Sequence, residues 1–457
     1  MTQLPDKPPS DWTQDITDGQ VNYFADDQFK KEVTEYNRRY LSWDELKYRV
    51  PNPDQQRKAW AVMKLYRSMR QEQIPYPHFR LTYSIIPEIV KSLHAIDSYL
   101  TGTIRIHNKT IRLERSYIIN SFMEEAIASS ILEGAATTRN VAKEMLKKGR
   151  KPKNSSEQMV LNNYEAMNFI LEHRDDPLTP ALLLEIHRLV TKGTIDEEAV
   201  GQFRTNNDIV VANPATGVVY HTPPEYPEIP RYITDLCTFA NLEKEDTDSG
   251  DGDYIHPVIK GIILHFLIGY IHPFNDGNGR TARSLFYWYV ISRGYWLFEY
   301  MPISRIILRS KKKYSLAYLH TEYDEMDLTY FFLYNLDCIN AAKRDLMNYL
   351  EEKQTEQNAT KALIKKIPDI NQREGDILRT MIEQSDEYFT IREIMQQYNT
   401  VYETARTDLL HLADLGYLIR EKRGREFIFI FNENSEHWKQ NVKNDANGKH
   451  QSRTVAP

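Results

Sequence analysis

The chain has 457 residues, a formal net charge of −6, and hydrophobic and charged fractions of 41% and 27%. That is ordinary globular usage. It excludes a collagen-like, mucin-like or wholly disordered chain, and the length implies about three domains. No global positive field attracts nucleic acid or anionic lipid. The two cysteines, Cys237 and Cys338, are too few for a disulfide framework or a cysteine zinc site.

Mainly helical structure is expected from end to end. Residues 1–110 begin with about thirty polar, proline-bearing positions, expected as a loosely held arm. No apolar signal segment stands there. From Trp43 to about residue 107 the pattern is helical, with interruptions at Pro51, Pro53, Pro75 and Pro77. Residues 117–133 carry apolar positions at helical spacing, and Gly134 supplies a left-handed stop. Helices follow over 157–172 and 181–192, the second opened by Thr179-Pro180. Residues 203–224 hold two β-branched runs around Asn213-Pro214-Ala215-Thr216-Gly217, a hairpin signal. The acidic stretch 242–254 lacks the glutamate of a calcium loop and is expected as a solvated linker. Residues 257–271 form a strongly apolar helix that must end near His272, because Pro273 disfavours helical geometry before it. The apolar stretch, with Lys260 and His265 inside it, falls short of the ~20 residues of a membrane span. A soluble cytoplasmic protein with no membrane partner is expected.

A second helix is expected from Gly279 to Gly294, and more over 311–350. Residues 351–372 are charged and break the periodicity, as a linker would. Residues 373–431 form a separate unit of three helices and two short β runs joined by Arg423-Gly424-Arg425. Its capping boxes would be Thr390-x-x-Glu393 and Thr400-x-x-Glu403. This is the winged-helix pattern. Residues 432–457 are polar and expected to be disordered.

The chemistry concentrates in His272-Pro273-Phe274-Asn275-Asp276-Gly277-Asn278-Gly279-Arg280-Thr281-Ala282-Arg283. A proline-stopped helix, a glycine-rich turn and a new helix N-terminus make an anion cradle of unpaired N–H groups. Arg280 and Arg283 add fork-shaped cations suited to phosphate. Asp276 inside that cradle is best explained by Mg²⁺ bridging the phosphates. His272 at its mouth, with an ordinary pKa near 6.5, suits a general base. Together these residues point to phosphoryl or nucleotidyl transfer. A zinc site from His256, His265 and His272 fails on spacing.

HPFNDGNGRTAR resembles the signature of the Fic family at every specified position, and the resemblance extends over roughly 115–350. It implies a Fic-type helical core (111–350) with a β-hairpin flap. It further implies a reaction moving AMP from ATP to a Ser, Thr or Tyr hydroxyl of a protein target, including the chain itself, with release of pyrophosphate. On that resemblance His272 is the base and Asp276 the Mg²⁺ ligand. Gly277, Asn278 and Gly279, with Thr281 behind them, hold the phosphates. Arg280 takes the α/β-phosphates and Arg283 the γ-phosphate. Phe274 packs in the core. The hairpin resembles the flap that clamps a target as an added strand, with Val218, Val219, Tyr220 and His221 along the nucleotide. Tyr314 is similar to a family tyrosine near the adenine.

Ser129-Ser130-Ile131-Leu132-Glu133-Gly134 resembles the family's inhibitory motif. Ser129 and Glu133, at i and i+4, share a helix face, and Glu133 would pair with Arg283 in the place of the γ-phosphate. The helix 117–134 would then be a brake in the same chain. The winged helix leaves DNA binding, protein recruitment and homodimerisation open: Arg392 to Glu426 holds six basic and six acidic residues, so its net charge is zero. The alternative function is a nucleotide-sensing transcription regulator that binds DNA through this unit.

Overall fold

In a computed structural model, the structure describes residues 4–439 apart from 18–25, 101–104, 107–108, 111–114, 214–215, 243–253, 366, 384–387, 424–425 and 437. The acidic stretch 243–253, the turn at Gly424 and Arg425, and the tail from 440 lie outside the described residues. Chain contacts divide the protein into two units, Met1–Leu346 and Met347–Pro457.

The first unit opens with α1 (Trp12–Thr17), α2 (Asp27–Arg38), α3 (Trp43–Lys47) and α4 (Pro53–Ser68). The expected loose arm is in part tied down. Arg57 of α4 pairs with Asp11 and Asp15, and Trp12 packs on the core around Trp60. A short antiparallel pair, β1 (Gln71–Gln73) and β2 (Thr82–Ser84), precedes α5 (Pro87–Leu100). A two-residue pair, β3 (Arg105–Ile106) and β4 (Lys109–Thr110), follows. The remaining helices are α6 (Arg115–Leu132), α7 (Arg139–Lys148), α8 (Ser155–Glu172), α9 (Pro180–Thr191) and α10 (Ile229–Asn241). They are followed by α11 (Pro257–Ile271), α12 (Asn278–Ser292), α13 (Ile303–Arg309), α14 (Lys311–Tyr323) and the long α15 (Thr329–Ile364). Between α9 and α10 sits the hairpin of β5 (Val211–Ala212) and β6 (Val219–His221). Its register shifts between Val211 and Ala212.

The core forms around α11. A helix that is apolar on every side must be buried on every side, and Val258 to Ile268 are all buried, Lys260 and His265 included. Gly261 lets α12 approach: a Cβ there would lie 2.9 Å from Val290. Phe266 meets Tyr318 of α14 and Phe331 of α15 at ring-centroid distances of 5.3 Å. Against α12 lies α9, then α8, then α6, which also packs on α13. The helix that ends just before Glu133 is thereby set beside the helix carrying Arg283. Among the described residues no helix is long and apolar enough to cross a membrane.

The second unit holds the last turns of α15 and α16 (Gln372–Glu383). Next come β7 (Tyr388–Thr390), α17 (Ile391–Gln397), α18 (Tyr402–Asp414), β8 (Leu418–Arg423) and β9 (Glu426–Phe431). Its sheet has three strands in the order β7-β9-β8, not two. Helix α15 runs through the stretch expected as a linker as far as Ile364. The capping box at Thr390 forms. The one expected at Thr400 does not, and Val401 stands at the N-cap of α18. Asn399 is left-handed (φ 45°) and the Thr400 N–H bonds back to Met395 O, so Thr400 closes α17 rather than opening α18. The polar segment after 431 is placed at least to Trp438, whose ring packs edge-on to Phe431.

Candidate active site

His272 ends α11 in left-handed geometry (φ 49°, ψ 58°), with its N–H bonded to Ile268 O. Its Nδ1 lies 3.1 Å from the carbonyl of Gly269. A carbonyl only accepts, so Nδ1 carries the proton and Nε2 presents its lone pair. Burial pushes the imidazole down to about 4, with His221 and Arg204 adding smaller effects in the same direction and Gly269 and Glu133 opposing it. The ring is neutral at neutral pH, a weaker base than the ordinary value near 6.5 implied.

The loop that follows is held from within and from outside. Asn278 Oδ1 accepts from the Phe274 N–H at 3.0 Å, and its amide donates to Phe274 O at 2.8 Å. That side chain is spent on closing the loop, leaving only its backbone N–H for a ligand. Phe274 is buried and stacks on His187 at 3.8 Å. His187 of α9 accepts from the Gly201 N–H on Nδ1 and donates from Nε2 to Asp276 O at 2.9 Å. Burial lowers it to about 4, which keeps that tautomer. Gly277 is left-handed (φ 82°), and a Cβ there would lie 2.6 Å from Thr191. Only glycine fits on both counts.

Helix α12 starts at Asn278, with its first intrahelical bond from Thr281 N–H to Gly277 O. The first-turn N–H groups therefore lie at its positive end. Arg280 is wholly buried beneath. One arm donates to Val190 O at 2.7 Å, while Nε and Nη2 have no hydrogen-bond partner. Asp276, largely exposed, stands 3.4 Å from Nη2. Thr281 is also buried, its hydroxyl without a partner, and it does not reach the cleft.

Glu133 lies over this helix start. Helix α6 closes with Gly134 N–H on Ile131 O and Ala135 N–H on Ser130 O, Gly134 being left-handed (φ 94°). Arg283, buried, donates Nε to Ser129 Oγ at 3.0 Å and Nη2 to Glu133 Oε1 at 2.9 Å. A Cβ at Gly279 would lie 2.2 Å from Glu133 Oε1. The carboxylate thus occupies the space directly above the first turn of α12.

One cleft brings together Glu133, His272, Gly279, Arg283, Tyr220, His221 and Tyr314. Asp276, Gly277, Asn278, Arg280, Thr281, Val218 and Val219 are not on its wall, and Val219 is exposed. Val211 of the opposite strand, paired with His221, also lines the cleft. His221 is a brace: its two ring nitrogens meet Glu322 at 2.8 Å and Tyr270 O at 2.7 Å. Tyr314 bonds to His265 at 2.8 Å. Sequence reasoning missed Ser315, Tyr318 and Glu322 on the same wall. The signal was present: Tyr314, Tyr318 and Glu322 recur at i, i+4 and i+8. It also missed His187 and Arg204, which lie far from the motif in sequence.

A Fic/DOC family model matches residues 177–290. The chain carries a Fic/DOC domain. A protein named "Protein adenylyltransferase Fic" of Culex quinquefasciatus is 27% identical over 255 residues, covering 55% of this chain and 44% of that protein. Its namesake in Aedes aegypti is 30% identical over 172 residues, covering 38% and 30%. This chain therefore matches less than half the length of either relative. A Fic family protein from Desulfovibrio desulfuricans G20 has the same fold, with a TM-score of 0.52 and 18% identity over 78% of this chain and 98% of that one. The Fic domain match includes the hairpin, α11 and the loop from His272 to Arg283.

Proposed function

We propose that this protein is an adenylyltransferase that moves AMP from ATP to a Ser, Thr or Tyr hydroxyl of a protein target, itself included. The observation that carries the reading is the tautomer of His272. Its Nδ1–H is spent on Gly269, which leaves Nε2 the lone pair, and the residue lines the same cleft as Gly279 and Arg283. His272 would take the hydroxyl proton as that oxygen bonds to the α-phosphorus. The bond from the α-phosphorus to the bridging oxygen breaks, and pyrophosphate leaves.

The start of α12 with Arg283 would receive the phosphates. Buried Arg280 supports an anion close by: its Nε has no hydrogen-bond partner, and its Nη2 meets only Asp276, at 3.4 Å. Tyr220, His221 and Tyr314 would wall the nucleoside. Among the described residues no three acidic, histidine or cysteine groups gather as a metal site. Asp276 with one exposed carboxylate fits Mg²⁺, an ion that takes most of its ligands from phosphates and water. When bound, the ion would neutralise phosphate charge. The names of the relatives support nucleotidyl transfer. ATP as substrate and the buried, unpaired Cys237 and Cys338 favour a cytoplasmic setting.

Glu133 is read as the brake. It holds Arg283 and covers Gly279, where the end of a triphosphate would lie. The second unit, read as a winged helix, is assigned to a protein partner or a second copy rather than DNA. Helix α18 carries Arg406 against Glu403, Asp408 and Asp414, a net charge of −2. The test is transfer from ATP labelled at the α- or the γ-phosphate. The Glu133→Gly protein is expected to take up only the α-label, and to lose that uptake when His272→Ala is added. Uptake of the γ-label, or α-label transfer that survives His272→Ala, contradicts the assignment.

A further inference from the structure

We propose that Arg204, outside the His272–Arg283 run, is a positioning residue that fastens the neck of the hairpin to the backbone of His272. The proposal rests on the transferase reading above. Arg204 is 2% exposed. Its Nε donates to His272 O at 2.9 Å, and its backbone N–H donates to Pro273 O at 2.9 Å. One arm of the guanidinium donates to Asn206 O at 2.7 Å and Asn207 Oδ1 at 3.1 Å. The other donates to Pro224 O. Asn207 Oδ1 also accepts from the Tyr226 N–H at 2.8 Å. One side chain therefore ties both ends of the segment carrying β5 and β6 to the residue that would take the proton.

Two features argue against a merely structural tie. His272 is a non-glycine residue in left-handed geometry, which is costly and persists only where neighbours impose it. Its N–H and ring are held by its own helix, so Arg204 is what fixes its carbonyl side. In addition, the guanidinium is buried, and among the described residues no carboxylate pairs with it. Burying an unpaired charge is expensive, and oxygen acceptors alone could be met by neutral donors. Here the charge stands near the His272 ring, on which, among the described residues, Glu133 just past α6 and His221 of the hairpin also act. A fixed cation there disfavours a second proton on the imidazole.

The experiment measures AMP transfer to a protein target in the Glu133→Gly background, with Arg204→Ala and Arg204→Lys added singly. A misplacement of ~1 Å at the base costs on the order of 100-fold in rate. Arg204→Ala is expected to lose about that much in kcat while KM for ATP stays at the parent value. Added guanidinium ion is expected to restore part of the loss. Arg204→Lys, with the charge but not the fork, is expected to fall between. Arg204→Ala transferring at the parent rate overturns the proposal. So does a loss that tracks a raised KM for ATP and resists guanidinium. If Arg204→Ala does not fold, Arg204→Lys transferring at the parent rate overturns it equally. A Glu133→Gly parent that transfers no AMP strikes the transferase reading itself, and is told apart because no Arg204 change is then involved.

Discussion

At the scale of single residues, protonation decides what His272 can do. Its pKa of about 4 makes it neutral through the physiological range. Transfer by the Glu133→Gly protein is therefore expected to keep its kcat/KM as pH falls from neutral, with the acid limb lying near 4 rather than 6.5. A limb centred at the ordinary histidine value would show that the ring is solvated during turnover. Glycines in the motif differ in what they tolerate. Gly277→Ala meets both a left-handed φ and a Cβ at 2.6 Å from Thr191, whereas Gly134→Ala meets only a left-handed φ in open space. Thermal melting is expected to show Gly277→Ala as the more damaging, with Gly134→Ala costing about 1–2 kcal/mol. The reverse order would mean that the seat on α9 yields freely.

At the scale of elements, the helices were the legible part of the sequence. The all-apolar α11, its stop at His272-Pro273 and the Gly134 end of α6 follow from periodicity, the proline and the glycine. Less local features were not legible. The strand Tyr388–Thr390 is three residues long and exists because β9 pairs with it, a contact across forty positions of chain. The two Thr-x-x-Glu patterns look alike, yet only Thr390 caps, because Thr400 is already used in closing α17. The same holds for the site. The loop from His272 to Arg283 is contiguous and could be recognised. Its supports His187 and Arg204 come from other elements, and their type and spacing carried no warning. In the hairpin, the register shift between Val211 and Ala212 depends on how the two strands pair, which neither run announces by itself. Thr390→Ala removes the reciprocal cap of α17 and is expected to cost about 1 kcal/mol in denaturant unfolding of the second unit. No change there would mean that the sheet alone holds that helix start.

At the scale of the whole molecule, buried neutral histidines link folding to pH. Burial lowers His187 and His272 to about 4 and His265 to about 3. In the unfolded chain each titrates near 6.5, so between 6.5 and 4 the unfolded state binds more protons and stability falls as pH falls. Each such group contributes a slope of about 1.4 kcal/mol per pH unit across that window. Melting temperature is expected to drop steeply below pH 6.5 and to level off above it, and a flat profile would contradict the burial of these rings. The proposed reaction turns on one act: a neutral imidazole, freed from the carboxylate that covers Gly279, passing AMP to a hydroxyl. Intact-mass spectrometry of the Glu133→Gly chain, incubated with ATP and Mg²⁺ beside the unsubstituted protein and Glu133→Gly with His272→Ala, tests it most directly. Whole AMP units are expected on Glu133→Gly, few or none on the unsubstituted protein, and none on the double variant. Unchanged mass in all three, or equal addition in all three, would contradict it.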